Sequence, residues 1–308
     1  MRALQFAEYG PPSVLRVADV PEPHAGPAEI RIRVRTSGVT PADAYVRSGR
    51  FREMIPLALP HVLGVDAAGI VDEIGPGVTG VRAGDEVFGM TDLARLGGAN
   101  AEFAVLAAWA AKPAAMSWAE AGGAAANVET ATRVLDLLGV GAGTHLLIEG
   151  AAGGVGTVAV QLAVARGARV TGTASERNHE FLVSLGATAT TYGPGLADRV
   201  PGGADAVFDC AGSGSLAELV KLAGDAGRVV TIADFDAAAH GVHMSRSAGP
   251  GADPQALHGL TIAADLAGQG RFRVPVAAEW PLEQAARAHE LCESGHARGK
   301  IVLTVSSE

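Results

Sequence analysis

The sequence predicts an α/β protein in which a doubly wound parallel sheet follows a mainly β, barrel-like domain. Three observations carry this expectation. From Ala119 onward, continuous apolar strands alternate with helical stretches, the texture of a parallel sheet covered on both faces. Up to about residue 117, Pro and Gly instead punctuate short β-like runs, as in barrels and sandwiches. At 308 residues the chain also exceeds what one compact core usually holds, so two domains are expected.

In the first stretch the β-like runs are Ile30–Arg35, Ala67–Ile74 and Glu86–Phe88, with turns at Gly10-Pro11-Pro12 and Gly75-Pro76-Gly77 between them. A helical stretch over Trp118–Leu138 leads to the apolar strand His145–Ile148 and a glycine turn. A helix at Val155–Arg166, a strand at Arg169–Thr173 and a helix at Asn178–Leu185 follow. Further strands are read at Ala189–Tyr192, Ala206–Asp209 and Arg228–Ile232, with helices between them. The segment Ala237–Gly251 is rich in Gly, His and Ser and reads as a mobile loop. A helix near Pro254–Ala267, another over Leu282–Glu293 and a last strand at Lys300–Val305 complete the chain.

Composition excludes several classes. A hydrophobic share of 48% with 19% charged residues rules out a disordered chain. The net charge of −9 argues against a nucleic-acid partner and against an anionic membrane surface. Cys210 and Cys292 lie far apart, so neither a disulfide framework nor a cysteine-rich zinc lobe is expected. The strand-like start, Met1–Phe6, does not resemble a signal peptide, and every long apolar run is broken by charge, so a cytoplasmic protein is expected.

The glycine turn, Ala151-Ala152-Gly153-Gly154-Val155-Gly156, fits A-x-G-x-x-G between an apolar strand and a helix. A glycine in the middle slot removes the side chain that would block a pyrophosphate, and the helix start offers unpaired N–H groups and a positive dipole end. Ala151, Gly153, Gly154, Val155 and Gly156 are therefore candidate dinucleotide contacts. The acidic residue that reads a ribose 2′-hydroxyl belongs at the end of the second strand, where this chain has Ala174. Ser175 and Arg177, followed by Asn178, are placed to hold a 2′-phosphate instead, so NADPH is the expected cofactor. Two alternatives stay open. Ser175 could simply cap the next helix with Arg177 solvated, and Glu176 turned inward would accept a ribose hydroxyl or repel a phosphate.

Several ordered blocks stand out, Tyr9–Leu15, Gly38–Gly49, Pro60–Gly69, Gly84–Gly89, the glycine turn and Gly295–Leu303. Together they resemble the zinc-free quinone oxidoreductases (zeta-crystallin-like) of the medium-chain dehydrogenase/reductase superfamily. The resemblance spans almost the whole chain. It implies a discontinuous GroES-like catalytic domain (residues 1–117 and 270–308) around a Rossmann domain (118–269), with the active site in the cleft between them. Zinc-dependent relatives carry a Cys where this chain has Pro41 and a His-Glu pair where it has Leu63-Gly64-Val65. Neither position can ligate zinc, so a metal-free site is expected, and His61 reads as structural.

By the same resemblance, Thr40 stands beside the nicotinamide ribose in place of a family Asn, and Tyr45 lines the substrate pocket, where its phenol can bind a carbonyl oxygen or give a proton. A packing role for Tyr45 remains the alternative, and Asp43 is expected to hold local backbone. Thr130 matches a threonine near the nicotinamide, Tyr192 a residue near the adenine, and Gly212 and Phe235 lie on nicotinamide-side loops. Glu149, where the family often has His, would need a partner if buried. The segments Phe51–Leu59 and Asp92–Asn100 are too variable to define a pocket.

Without a Lewis acid, alcohol oxidation loses its means of stabilising an alkoxide. Hydride transfer to an electron-poor acceptor needs less help. The implied function is NADPH-dependent reduction of quinones or α,β-unsaturated carbonyls, small electrophilic substrates. An enoyl-thioester or polyketide-tailoring reductase and a non-enzymatic NADPH-binding protein are the alternatives. A homodimer is expected, paired through sheet edges around Ala206–Ile232.

Overall fold

The computed structural model describes residues 1–50, 52–53 and 56–305. The chain divides into two compact units, Met1–Ala126 with Leu260–Glu308, and Asn127–Gly259. The first unit opens with β1 (Arg2–Phe6), β2 (Arg16–Asp19), β3 (Ile30–Val39), α1 (Pro41–Ser48), β4 (His61–Val62) and β5 (Asp66–Ile74). It continues with β6 (Glu86–Met90), β7 (Phe103–Leu106), β8 (Ala108–Ala111), α2 (Trp118–Gly122) and the start of α3 (Ala125–Leu137). The second unit holds β9 (His145–Glu149), α4 (Gly154–Ala165), β10 (Arg169–Thr173), α5 (His179–Ser184) and β11 (Thr188–Thr190). After these come α6 (Leu196–Arg199), β12 (Ala206–Asp209), α7 (Leu216–Ala223), β13 (Val229–Thr231), β14 (His243–Met244) and α8 (His258–Gly268), inside which the second unit ends. The last elements, β15 (Val276–Pro281), α9 (Ala285–Glu293) and β16 (Lys300–Thr304), belong to the first unit again.

In the first unit a seven-stranded sheet runs β15-β16-β3-β5-β6-β8, with β7 also on β3. Its central strand shows the period of two that a half-covered strand requires. Ile30, Ile32 and Val34 are fully buried, while Arg31, Arg33 and Arg35 alternate with them. The C-terminal strand β16 closes this sheet antiparallel to β3, pairing Ile301 with Val39 and Leu303 with Ser37. That pairing is why the tail of the chain belongs to the unit formed by its beginning.

Helix α1 was not apparent from periodicity, and its cause is local. Thr40 is the N-cap, Pro41 takes the first helical position, and Asp43 completes a capping box with Thr40. Gly49 ends it at φ 74°, a left-handed conformation that favours glycine. The helical stretch expected over Trp118–Leu138 is two helices. α2 ends at Gly122, whose lack of a side chain lets the backbone pack directly on β3, since a Cβ there would lie 2.2 Å from the Thr36 hydroxyl.

The second unit is one sheet in the order β11-β10-β9-β12-β13-β14, parallel throughout. Leu146, Leu147 and Ile148 of β9 and Val207 and Phe208 of β12 are fully buried, consistent with helices on both faces. Neighbouring β9 and β12 are joined to partners on opposite sides, so the strand order reverses between them. Two expectations are corrected here. The segment Ala237–Gly251 is not simply a loop, because a 3₁₀ turn over Ala237–His240 is followed by β14, which pairs with β13 through Val230–His243 and Thr231–Met244. Consequently Ala206–Ile232 is no sheet edge. β12 is central and β13 is covered by β14, leaving β11 and β14 as the edges.

Candidate functional site

Parallel strands end at the same side of a sheet, and nearly all expected cofactor residues of the second unit follow such ends. Ala151–Gly156 follow β9, Ser175, Arg177 and Asn178 follow β10, Tyr192 follows β11, Gly212 follows β12 and Phe235 follows β13. This is the carboxyl edge where open α/β sheets bind ligands, at the point where strand order reverses. Thr130 stands apart from this set, on α3, where its hydroxyl meets Glu129 Oε2 at 3.3 Å and the Arg133 guanidinium at 3.4 Å.

The glycine turn has the shape a pyrophosphate requires. Gly150 turns the chain at φ 74°, and the Ala151 N–H donates to Thr173 O across the sheet at 3.0 Å. Gly153 caps α4 without a side-chain bond. Among the described residues beyond its chain neighbours, a Cβ on Gly153 would meet only Gly150 O, at 3.3 Å, which leaves space outside this glycine. Gly156 differs, since its Cβ would come within 2.4 Å of Gly150 O and 2.7 Å of the Ala151 Cα. One glycine leaves room for a ligand; the other lets the helix pack on its own turn. The first N–H groups of α4, on Gly154, Val155 and Gly156, lie beyond the reach of intrahelical acceptors and, with the helix dipole, form a donor set suited to phosphate oxygens. The residues present therefore fit a dinucleotide.

After β10, Ala174 is buried at 5% exposure, so no acid occupies the ribose-reading position. Ser175 does not cap the following turn with its side chain; its hydroxyl instead accepts from Asn178 Nδ2 at 3.3 Å. Ser175 therefore lacks the side-chain cap that the alternative gave it. Glu176 and Arg177 are both exposed. Tyr192, 58% exposed, sits on a loop whose carbonyls at 191–194 all accept from the Arg199 guanidinium, at 3.0 to 3.4 Å. Phe235 is likewise exposed, at 44%.

Two buried carboxylates at the ends of β9 and β12 were not paired by the sequence reading. Glu149 and Asp209 are register partners, at 2% and 0% exposure. Asp209 Oδ1 accepts the N–H groups of Ala211 and Gly212 at 2.8 and 3.0 Å, and Oδ2 accepts the Thr231 hydroxyl at 2.7 Å. Glu149 has the partners its burial demands: Ser213 donates to Oε1 at 3.0 Å and Ser215 donates to Oε2. Burial pushes the Glu149 carboxyl above its ordinary range, the Ser215 hydroxyl pulls it back, and Asp209 pushes it up again. The strand-end sequence Asp209-Cys210-Ala211-Gly212 carries the signal for the Asp209 turn; nothing local marks the Glu149 pairs.

In the first unit, Thr40 is 8% exposed. Its hydroxyl and its N–H both donate to Asp43 Oδ2 at 2.7 Å, so its one hydroxyl proton is committed. Asp43 also takes the Gly64 N–H on Oδ1 at 3.1 Å. It holds backbone, as expected, and burial pushes its carboxyl upward against those bonds. Tyr45 is half-buried on α1, with the Arg50 guanidinium 4.8 Å from its ring centroid. Nearby in this unit, Lys300 faces Asp66 at 3.5 Å, both almost fully buried. His61 meets the Leu96 carbonyl at 3.0 Å and lies edge-on to Phe6, a structural imidazole. Among the described residues, no group of three or more His, Cys, Asp and Glu is placed to hold a metal ion, and no helix is long and apolar enough to cross a membrane. Of the Phe51–Leu59 segment, Phe51, Met54 and Ile55 lie outside the described residues.

Comparison with known proteins agrees with this architecture. Residues 26–134 match the family model "Alcohol dehydrogenase GroES-like domain", and residues 185–303 match "Zinc-binding dehydrogenase". The chain is 32% identical to the chloroplast envelope quinone oxidoreductase homolog of Arabidopsis thaliana, over 98% of each protein. It is 30% identical to the chloroplastic NADPH-dependent alkenal/one oxidoreductase of the same plant, over 98% of this chain and 79% of the relative. The solved quinone oxidoreductase of Coxiella burnetii superposes with a TM-score of 0.87 at 29% identity, covering 99% of both chains. Full-length similarity, the dinucleotide-type sheet edge and the GroES-like unit converge: this chain belongs to the quinone oxidoreductase family of the medium-chain dehydrogenases/reductases.

Proposed function

We propose that the protein uses NADPH to reduce quinones or carbonyl-conjugated alkenes. The observation that carries this reading is the match over 98% of the chain to relatives named for quinone and alkenal/one reduction, supported by the donor set at the start of α4. In this reading the N–H groups of Gly154, Val155 and Gly156 hold the pyrophosphate, and Gly153 leaves it room. Ser175, Arg177 and Asn178 hold the 2′-phosphate, Tyr192 flanks the adenine, and Thr130, Gly212 and Phe235 serve the nicotinamide half. When bound, NADPH supplies the hydride. The chain's own task is then to orient the acceptor, exclude water and deal with the charge that develops on oxygen. Tyr45 is the residue assigned to that oxygen, and Thr40, its proton committed to Asp43, positions the start of α1.

NADPH absorbance followed against a panel of quinones, enals, enones and acyl thioesters tests the reading. Quinones and enones should turn over and acyl thioesters should not. Turnover confined to thioesters would replace it with an enoyl-thioester reductase, and binding without turnover would make the protein a dinucleotide-binding module. Activity should also survive exhaustive chelation, because Pro41 and Leu63-Gly64-Val65 offer no ligand where zinc-dependent relatives hold their metal. A homodimer is part of the proposal, with the β14 edge, His243–Met244, as the pairing strand; a monomeric mass in sedimentation would reject it.

A further inference from the structure

The loop between β12 and α7, residues 210–215, packs against the glycine turn. A Cβ on Gly150 would meet the Ala211 Cβ at 3.2 Å and the Ala211 nitrogen at 3.3 Å. The loop thus forms one side of the crevice at the strand-order reversal, and the start of α4 forms another. The polarity of this side is unusual. The N–H groups of Ala211 and Gly212, which could have received an anion, are already bound to Asp209. Ser215 occupies the N-cap of α7, yet its hydroxyl does not cap the helix; it is turned toward Glu149. Ser213, exposed at the loop tip, also gives its hydroxyl to Glu149. Each hydroxyl has one proton and two lone pairs. The Ser213 hydroxyl also lies 3.1 Å from the Ser215 oxygen, so both protons stay within the cluster of Glu149, Ser213 and Ser215, and what the two serines present outward is their remaining lone pairs.

We propose that Glu149 is a positioning residue for the dinucleotide, turning Ser213 and Ser215 into acceptors so that this wall takes hydrogen-bond donors of the nicotinamide half. Those donors are ribose hydroxyls or the carboxamide NH₂. Phosphate oxygens, which only accept at neutral pH, are disfavoured at the serines and directed to the N–H groups of α4. The inference rests on the dinucleotide reading above and adds which half of the ligand the loop selects. Glu149→Gln is the informative change, because it keeps the size of the side chain and reverses part of its polarity. The amide nitrogen must donate to one serine, and that serine then turns its proton outward.

The test is equilibrium titration of the apoprotein with NADPH and with 2′,5′-ADP, which carries the adenosine half alone. Glu149→Gln should weaken NADPH about tenfold, the equivalent of about one lost hydrogen bond, and leave 2′,5′-ADP unchanged. Ser213→Ala, at an exposed position, should weaken NADPH in the same selective way. NADPH affinity of the wild type should also fall as pH drops through the Glu149 titration, since a protonated carboxyl donates to one serine as the amide does. The other titratable groups facing Glu149 are Asp209 and Cys210 on and after β12 and Glu218 on α7; the Gln variant, which retains all three, should lack the added dependence. Equal NADPH affinity in wild type and in a folded Gln variant overturns the inference, as does equal weakening of both ligands. If the wild type binds neither ligand, it is the dinucleotide reading that fails.

Discussion

Arg177 is an exposed side chain in the turn after β10, beside a serine hydroxyl that caps nothing. In the proposed 2′-phosphate site its guanidinium supplies the charge that distinguishes the two nicotinamide cofactors. Arg177→Ala should weaken NADPH by roughly 10- to 100-fold, the cost of a charge-assisted hydrogen bond, and leave NADH unchanged. Titrating both cofactors checks this, and parallel weakening would remove Arg177 from the site. Tyr45 is judged differently, because a phenol aimed at a carbonyl oxygen matters most where the product anion is least stable. Tyr45→Phe should slow an enone by about 10²-fold, within the usual range of general-acid assistance, and a quinone far less. Rates compared on both substrates decide it: an equal, wild-type rate on each would leave Tyr45 as packing. The sequence exposed these individual residues because each sits in a short local pattern. The Thr40–Asp43 bond lies within one capping turn, but the sequence could not show that Glu149 meets serines more than sixty positions on, because that pairing exists only once the strands are side by side.

At the scale of elements, the glycine turn separates two demands that a motif merges. Gly156→Ala places a methyl 2.4 Å from Gly150 O, against backbone that cannot yield cheaply. Overpacking of this kind costs about 1–3 kcal/mol, so thermal unfolding should shift down, with NADPH binding lost as well. Gly153→Ala meets nothing nearer than 3.3 Å and has an ordinary φ of −78°. It should shift unfolding far less than Gly156→Ala and still weaken NADPH, since the methyl enters the space proposed for the ligand. Calorimetry beside cofactor titration separates the two variants, and an equal loss of stability would refute the division of roles. The same contrast between local and distant causes explains which elements were legible. β9, β10 and β12 announced themselves as apolar runs bounded by turns. α1 was missed although Thr40-Pro41-Ala42-Asp43 carries a capping signature, because the helix is only eight residues long and its buried face includes Asp43 and Arg47. β14 has two residues, too few for any period, and exists because β13 offers it a ladder.

For the molecule as a whole, response to acid is set by groups that burial holds away from their ordinary protonation. His289 on α9 is fully buried. Arg47 Nε donates to its Nδ1 at 3.4 Å, so the ring is neutral with its proton on Nε2, which finds no partner among the described residues. Burial, with the Arg47 charge beside it, lowers its pKa to about 3. An unfolded histidine titrates near 6.5, so below that value the unfolded chain takes up a proton that the folded chain refuses. Stability from this group is therefore complete above about pH 6.5 and drains away as pH falls toward about 3. Asp43, Asp66 and Glu149 act in the opposite sense. Burial raises each of them, so the folded state gains relative stability as pH falls through their raised values toward the ordinary carboxylate range. Acid sensitivity just below neutrality should then belong to His289 and, in the same sense, to His145, whose pKa burial and the Arg169 charge also lower. Moving from about pH 7 to about pH 5 should cost the wild type about 2 kcal/mol through this ring alone, a drop of several degrees in Tm. His289→Gln cannot titrate, so although its Tm starts lower, the drop between the two pH values should shrink by that amount. Comparing the drops, rather than the absolute values, cancels the packing cost of the substitution. If wild type and variant lose the same number of degrees, proton uptake elsewhere governs acid unfolding and the buried imidazole is only a spacer between α1 and α9.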